Sequence, residues 1–357
     1  MIAPFAAPPD VTVLMPVYNG ERYVGEAIQS ILRQTWSNFE FLIINDGSND
    51  DTPQILDTFK DPRIRIIHNS NNLGLAKSLN LGLACARAPL VARQDADDRS
   101  HPERLRAQIE LMRANAEVAL LGTQARILNK RGRVSRRPGW HRALSDTAIR
   151  FQLMFDNAFI HSSVMFRRDI VWQELRGYDE TFTTGQDYEL WSRVSARYAV
   201  RNLPSPLIDY RFHGDSSSAR YGLDHLERSA TIVAHNLRCY LDLPRVPDHW
   251  PQLISTLHVK PASASASELN ELLQVADTIH ERFVARYPGE QEKEEVRRVL
   301  AAKISQIACL MATAQRRNAL TAFRRGCRLD TQVGQSFALK FFALLLLGQR
   351  LRSHMSR

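Results

Sequence analysis

Short apolar runs and helix-period patterns alternate through the first hundred residues. "VTVLMPVYN" (11–19) is nearly continuous in apolar residues, as a strand buried on both faces tends to be. Behind it, Tyr23, Val24, Ala27, Ile28, Ile31 and Leu32 recur at the spacing of one helix face. "FEFLIINDG" (39–47), "RIRIIHN" (63–69) and "PLVARQD" (89–95) repeat the strand pattern, and stretches at about 52–60 and 73–86 repeat the helical one. Strands and helices alternating at this spacing predict βαβ units, right-handed crossovers and a mainly parallel sheet flanked by helices. Ligands bind such sheets at the carboxyl ends of the strands, which makes "PVYNG", "NDGSNDD", "HNSNNLG" and "QDADD" the segments to inspect.

From about residue 215 the helical period takes over. "ARYGLDHLERSATIVAHNLRCYL", "SELNELLQVADTIHERFVARY" and "EQEKEEVRRVLAAKISQIACLMATAQ" each predict a helix, and residues 317–351 read as one more helical hairpin. "KPASASAS" (260–267) is a small-residue linker. The expected organisation is a loose, proline-bearing tail over residues 1–10, an α/β domain over 11–218 and an all-helical region over 219–357. The tail lacks the basic and apolar segments of a signal peptide.

A chain of 357 residues is too long for one small core, in keeping with that division. Its net charge of +9 favours an anionic partner, whether nucleic acid, acidic membrane or phosphate-bearing substrate. Cys85, Cys239, Cys309 and Cys327 are scattered without a C-x-x-C pair, so they suggest neither a zinc cluster nor a disulfide framework and fit a reducing cytoplasm. The longest apolar run, "FALKFFALLLL" (337–347), is interrupted by Lys340 and falls short of the ~20 residues a spanning helix needs. With Arg350, Arg352 and Arg357 behind it, it suits either a helix lying on the inner face of the cell membrane or a terminal helix packed on its neighbours.

The most informative cluster is "DADD", with Asp95, Asp97 and Asp98 directly after a strand. Crowded carboxylates at a strand end hold a hard divalent ion such as Mg²⁺ or Mn²⁺, whose other ligands come from water and a substrate diphosphate. The structural alternative is that Asp98 caps the following helix while Asp95 and Asp97 are merely exposed. Neither a P-loop nor a G-x-G-x-x-G turn is present to bind phosphate in those ways.

Taken together, Pro16, Tyr18 and Asn19 after the first strand, "NDGSNDDT" after the second and "QDADD" after the fourth resemble the family-2 glycosyltransferases with the GT-A (Rossmann-like) fold. The resemblance spans about residues 11–218. It implies that Pro16 to Asn19 wrap the nucleotide of a nucleotide-sugar donor, with Tyr18 on the base or ribose. It also implies that Asp46 accepts a hydrogen bond from the base, although a D-G turn accounts for Asp46 on sequence alone. Asp95 is then assigned to the sugar nucleotide and Asp97 to the metal.

The segment "GQDYELW" (185–191) resembles the family's E-D-x-x-L-W signature, which makes Asp187 the catalytic base and puts Gln186 where glutamate is commoner. Glu189 is the alternative base, and a helix with an acidic first turn is the plain reading of the same residues. In "YRFHGDSSSAR" (210–220), His213 matches a histidine that reaches the metal or diphosphate. Arg211 is a candidate to neutralise the diphosphate, Ser216 to Ser218 are candidate donors, and Lys77 approaches the phosphates or lies on a solvated helix face. His161 is an acceptor contact or a core histidine. The arginines of "NKRGRVSRRPGWHR" (129–142) form a solvated hairpin or meet a phosphorylated or lipid-linked acceptor.

The function implied is inverting, metal-dependent transfer of a hexosyl or N-acetylhexosaminyl group from a nucleotide-diphosphate sugar, UDP-linked by expectation. The acceptor would be a hydroxyl of a glycan or lipid-linked molecule in cell-surface polysaccharide synthesis. Two alternatives are weighed against it. Sugar-nucleotide nucleotidyl transfer expects a Gly-rich N-terminal loop that "PVYNGERY" lacks. Nucleic-acid binding expects clustered basic and aromatic residues, whereas these arginines are dispersed, and no nucleic-acid partner is expected.

Overall fold

A computed structural model of the chain describes residues 8–129, 132–135, 142–211, 223–241, 243, 245–259, 265–287, 289–312 and 316–347. The chain forms two compact units: Met1–Asp146 with Asn157–Tyr221, and Thr147–Asp156 with Gly222–Arg357. The surprise is the ten-residue segment 147–156, which belongs with the helical unit.

The first unit is built on an eight-stranded sheet. Its first half contains β1 (Val11–Val17), β2 (Phe39–Asn45), β3 (Ile64–His68) and β4 (Leu90–Arg93), in the order β3-β2-β1-β4 and all parallel. Every residue of β1 and β2 is buried, which explains their unbroken apolar character. Helix α1 (Val24–Leu32) buries Val24, Ala27, Ile28 and Ile31, the face its period predicts. Helix α2 (Thr52–Thr58) follows β2, and α3 (Leu75–Cys85) lies so close to β1 that a Cβ on Gly82 would stand 2.2 Å from a Leu14 methyl. The chain order reverses at β1, between β2 and β4, so a switch point opens at the carboxyl ends of β1 and β4.

The second half makes the sheet mixed. β6 (Val118–Leu128) and β8 (Ala199–Arg211) are long and parallel to each other, and short β7 (Met165–Arg167) runs antiparallel between β4 and β6. β5 (Arg99–Ser100) pairs with β8 at the far edge, joining Arg99 to Asp209. Helices α4 (Arg104–Ala114) and α6 (Gln186–Arg197) complete this unit.

The helical unit takes in α5 (Asp146–Leu153) from residue 147, α7 (Leu223–Tyr240), α8 (Trp250–Val259), α9 (Ala266–Arg286), α10 (Glu290–Met311), α11 (Arg316–Leu329) and α12 (Thr331–Leu347). Phe151 of α5 packs on Phe283 of α9, and Asp156 pairs with the buried Lys303 ammonium at 2.6 Å. Phe323 of α11 stacks on Phe341 of α12. Among the described residues no helix is long and apolar enough to cross a membrane.

Two local expectations change. Residues 8–10 of the expected tail are fixed, because Asp10 accepts from Trp36 Nε1 and Asn38 and pairs with Arg113. The end of the small-residue linker is a helix start, in which Ser265 and Glu268 form a reciprocal capping box on α9.

Candidate active site

The loops after β1 and β2 are laced together. Asn19, at φ 49°, donates its N–H to Ser48 Oγ at 3.0 Å and accepts from the Asn49 N–H through Oδ1 at 3.0 Å. The Gly20 N–H reaches Thr52 Oγ1 at 2.8 Å. Pro16 stays buried within β1 opposite Ile44, whereas Tyr18 turns outward and is 49% exposed. A free aromatic face beside a fixed backbone is what a base or ribose contact requires.

Asp46 is buried, and its carboxylate brackets the loop that follows β3. Oδ1 accepts from Asn69 Nδ2 at 2.8 Å and from the Leu73 N–H at 2.9 Å, and Oδ2 accepts from the Gly74 N–H at 2.9 Å. Gly47 beside it has φ 70°, and a Cβ there would lie 2.4 Å from the Asn71 carbonyl carbon. The D-G turn reading thus describes how Asp46 is held. Lys77, in the first turn of α3, is exposed.

The acidic turn rests on a buried polar floor. Gln94 donates from Nε2 to the Asp95 and Asp98 carbonyls, and its Oε1 accepts from Ser100 Oγ and Arg104 Nη1. Arg93, also buried, pairs with the Asp95 carboxylate at 2.6 Å. The Asp97 carbonyl accepts from Arg211 Nε at 2.8 Å, and its side chain is partly exposed at the edge.

Asp98 is 1% exposed and does not cap a helix, since α4 begins only at Arg104. Its carboxylate accepts from the Arg211 N–H at 2.8 Å and from the Ser162 hydroxyl. Burial, then the nearby Asp97 and Asp95 charges, hold its carboxyl well above the usual carboxylate range.

Arg211 corrects a second expectation. It is 1% exposed, donates from Nη2 to Glu26 at 2.8 Å and lies over the Tyr23 ring at 4.3 Å. Its guanidinium therefore braces the acidic turn from inside and faces no open edge. His213 and Ser216 to Ser218 lie outside the described residues, as do Arg131, Arg136 and Arg137 of the basic stretch. Among the described residues of that stretch, the Gly132 N–H reaches the Asn129 carbonyl at 2.9 Å.

On the other side, Asp187 lies in the first turn of α6, after Gly185 at φ 70°. Asn157 donates from Nδ2 to Asp187 Oδ2 at 2.8 Å. Glu189 is engaged elsewhere: Arg193 holds both its oxygens at 2.6 and 2.8 Å and also donates to the Leu175 and Gly177 carbonyls. Trp191 is fully buried among Phe159, His161, Phe166 and Tyr178, which accounts for the apolar half of the signature by packing.

His161 joins the two sides. Its Nε2 lies 3.0 Å from Tyr178 Oη, and burial, reinforced by the Arg93 charge, pushes the imidazole down to about 4. Asp187 and Asp95 oppose that shift, so carboxylates from the first turn of α6 and from the turn after β4 act on one ring. The same two aspartates act on the Tyr178 phenol, which burial pushes up. The acidic edge and the candidate base thus lie within electrostatic reach of one imidazole, although about ninety positions separate them in sequence.

Among the described residues no group of three or more His, Cys, Asp and Glu side chains is arranged to hold a metal ion. The donor chemistry at the edge nevertheless suits a hard cation. Asp97 and Asp95 are carboxylate oxygens with partly exposed side chains, and their charges already raise the Asp98 carboxyl. An ion held there would take its remaining ligands from water or a diphosphate.

The residues that sequence reasoning missed are those of the floor and the support: Arg93, Gln94, Arg104 and Asn157. The signal for the first three was present as charged and amide residues inside strand and helix patterns.

A mixed α/β sheet whose parallel half has a switch-point edge lined by carboxylates sets the frame, and comparison with known proteins gives the class. The family model described as Glycosyl transferase family 2 matches residues 12–175. An uncharacterized glycosyltransferase of Haemophilus influenzae is 30% identical over 279 residues, covering 74% of this chain and 84% of its own length. The O-antigen biosynthesis glycosyltransferase WbnJ of Escherichia coli is 32% identical over 241 residues, 62% of this chain and 91% of its own. Among solved structures, residues 1–349 of S. aureus TarS in complex with UDP-GlcNAc share the fold at TM-score 0.55 and 15% identity, covering 92% of each chain. The chain belongs to glycosyltransferase family 2, and relatives of it act in polysaccharide biosynthesis.

Proposed function

We propose that the protein is an inverting glycosyltransferase that moves a hexosyl or N-acetylhexosaminyl group from a UDP-sugar to a hydroxyl of a glycan or lipid-linked acceptor. The setting is cell-surface polysaccharide biosynthesis in the cytoplasm, at the inner face of the membrane. The observation that carries this reading is the acidic turn of Asp95 and Asp97 directly after β4, at the switch-point edge of a chain that belongs to glycosyltransferase family 2.

On the donor side, Tyr18 and Asn19 line the nucleoside, with Pro16 shaping the turn. Asp46 fixes the loop at residues 69–74 and offers Oδ2 to the base, and Lys77 stands at the exposed rim beside the phosphates. Asp95, held by Arg93, faces the ribose and sugar. Asp97 would hold Mn²⁺ or Mg²⁺, with His213 as the further ligand implied by the family. Such an ion, when bound, supplies positive charge to the departing diphosphate. Arg211 serves by holding the acidic turn in shape.

On the acceptor side, Asp187 takes the proton of the attacking hydroxyl. The acceptor oxygen forms its bond to the anomeric carbon from the face opposite the diphosphate, and the glycosidic C–O electron pair leaves with the diphosphate oxygen. The configuration therefore inverts. The C-terminal helix α12 fits a peripheral membrane role in one respect: Phe341 packs inward on Phe323 while Phe342 is 47% exposed.

Asp187→Asn tests the base assignment. It should lower transfer by at least about a hundredfold and leave donor affinity unchanged, because the base acts on the acceptor proton. Glu189→Gln should keep most of the activity, since Glu189 is bound to Arg193. Equal turnover in Asp187→Asn and wild type would remove Asp187 from this role.

A further inference from the structure

The family signature pairs the base with a preceding glutamate, but here that position is the neutral Gln186, and something else must set the carboxylate's orientation. Asn157 lies thirty positions away and just before the 3₁₀ turn His161–Ser163. Its amide is fixed in both directions. Oδ1 accepts from the Phe159 N–H at 3.0 Å, so Nδ2 faces Asp187 and donates to Oδ2 at 2.8 Å. The first bond removes the ambiguity of an amide flip, because a reversed amide would oppose two donors at Phe159 and two acceptors at Asp187.

We infer that Asn157 is a positioning residue for the transfer reaction: it holds Oδ2 of Asp187 so that Oδ1 is presented to the acceptor hydroxyl. This rests on the reading of Asp187 as the base. A neutral donor suits the task better than a cation. It fixes the carboxylate through one lone pair and leaves the other oxygen available, whereas a bidentate arginine of the kind that grips Glu189 would engage both oxygens. Asp187 acts electrostatically on His161 and Tyr178, and Arg93 and Asp95 act on the same two rings.

The test uses the full chain with Asn157→Asp, Asp187→Asn and the double variant. Asn157→Asp is close to isosteric and keeps an acceptor for the Phe159 N–H, but it replaces the donor with a second carboxylate. At about pH 8 it should melt below wild type, and adding Asp187→Asn should restore the loss by supplying an amide from the other side. Turnover is read as UDP released from UDP-glucose, UDP-galactose or UDP-N-acetylglucosamine with Mn²⁺, with water as the acceptor whose O–H attacks the anomeric carbon. Asn157→Asp should lower kcat by about ten- to a hundredfold at unchanged donor KM. The deficit should shrink as pH falls toward about 5, where one proton shared by the two carboxyls restores a donor.

Additive melting effects of the two substitutions would overturn the contact. Coupled melting with wild-type kcat would overturn the positioning role and leave only a structural bond. Retained turnover in Asp187→Asn is a different result, because it removes the base assignment itself.

Discussion

Arg104 donates from Nη1 to the Gln94 side-chain oxygen at 3.1 Å with both side chains fully buried, and this bond fastens the start of α4 to the floor of the acidic turn. The other guanidinium hydrogens are equally engaged, at Gln108, Ser100 and the Arg93 and Val164 carbonyls. Five donors in a rigid fork thus meet five acceptors drawn from four separate segments. Removing the fork strips a donor from each of these buried acceptors, and among the described residues only Gln94 Oε1 and the Val164 carbonyl keep a second one, from Ser100 Oγ and the Arg93 N–H. Arg104→Met should therefore destabilise the protein by about 2–4 kcal/mol. Arg104→Lys should not recover the loss, because an ammonium carries three donors on one atom. Melting temperatures of the three proteins decide this, and a lysine variant as stable as wild type would contradict it.

His161 gives a pH dependence with a definite sign. Its imidazole is pushed from the usual 6.5 down to about 4, so the folded protein keeps it neutral where the unfolded chain protonates it. Its contribution to stability is therefore fully present above 6.5 and is lost as pH falls through that value toward 4. His161→Gln removes the titrating group. The melting temperature of the variant relative to wild type should rise steadily across that window. Parallel curves would contradict the burial of a neutral imidazole.

The strands of the first half were legible because burial on both faces leaves β1 and β2 without polar interruptions, and α1 shows a plain helical period. β8 was not legible. It contains Pro204 and Pro206, which argue against a strand, and the structure takes them up where its register against β6 shifts between Thr123 and Gln124. Helix α8 was also missed, since ten residues containing a proline give a weak period.

At the site, carboxylates directly after a strand could be found by position alone. Asp187 was found by likeness to a family signature, because an acidic helix start is otherwise common. Asn157 had no local signal: its role depends on Asp187, thirty positions away, which only the fold brings near. Arg104 was visible as a charged residue inside a helix pattern, but its bond to the Val164 carbonyl again depends on the fold. Arg211 misled in the opposite direction. An arginine at a strand end reads as a phosphate ligand, yet Asp98, Glu26 and Tyr23 enclose it.

The most direct test of the whole account is the melting temperature of the full chain with UDP-sugars, in the presence and absence of Mn²⁺. A bound donor stabilises the folded state in proportion to the logarithm of its saturation. One UDP-sugar should raise the melting temperature when Mn²⁺ is present and far less when it is absent, and Asp97→Ala should abolish the metal-dependent part. No stabilisation by any nucleotide sugar with metal, or an equal shift in Asp97→Ala, would contradict the placement of a metal-bridged donor at the acidic edge.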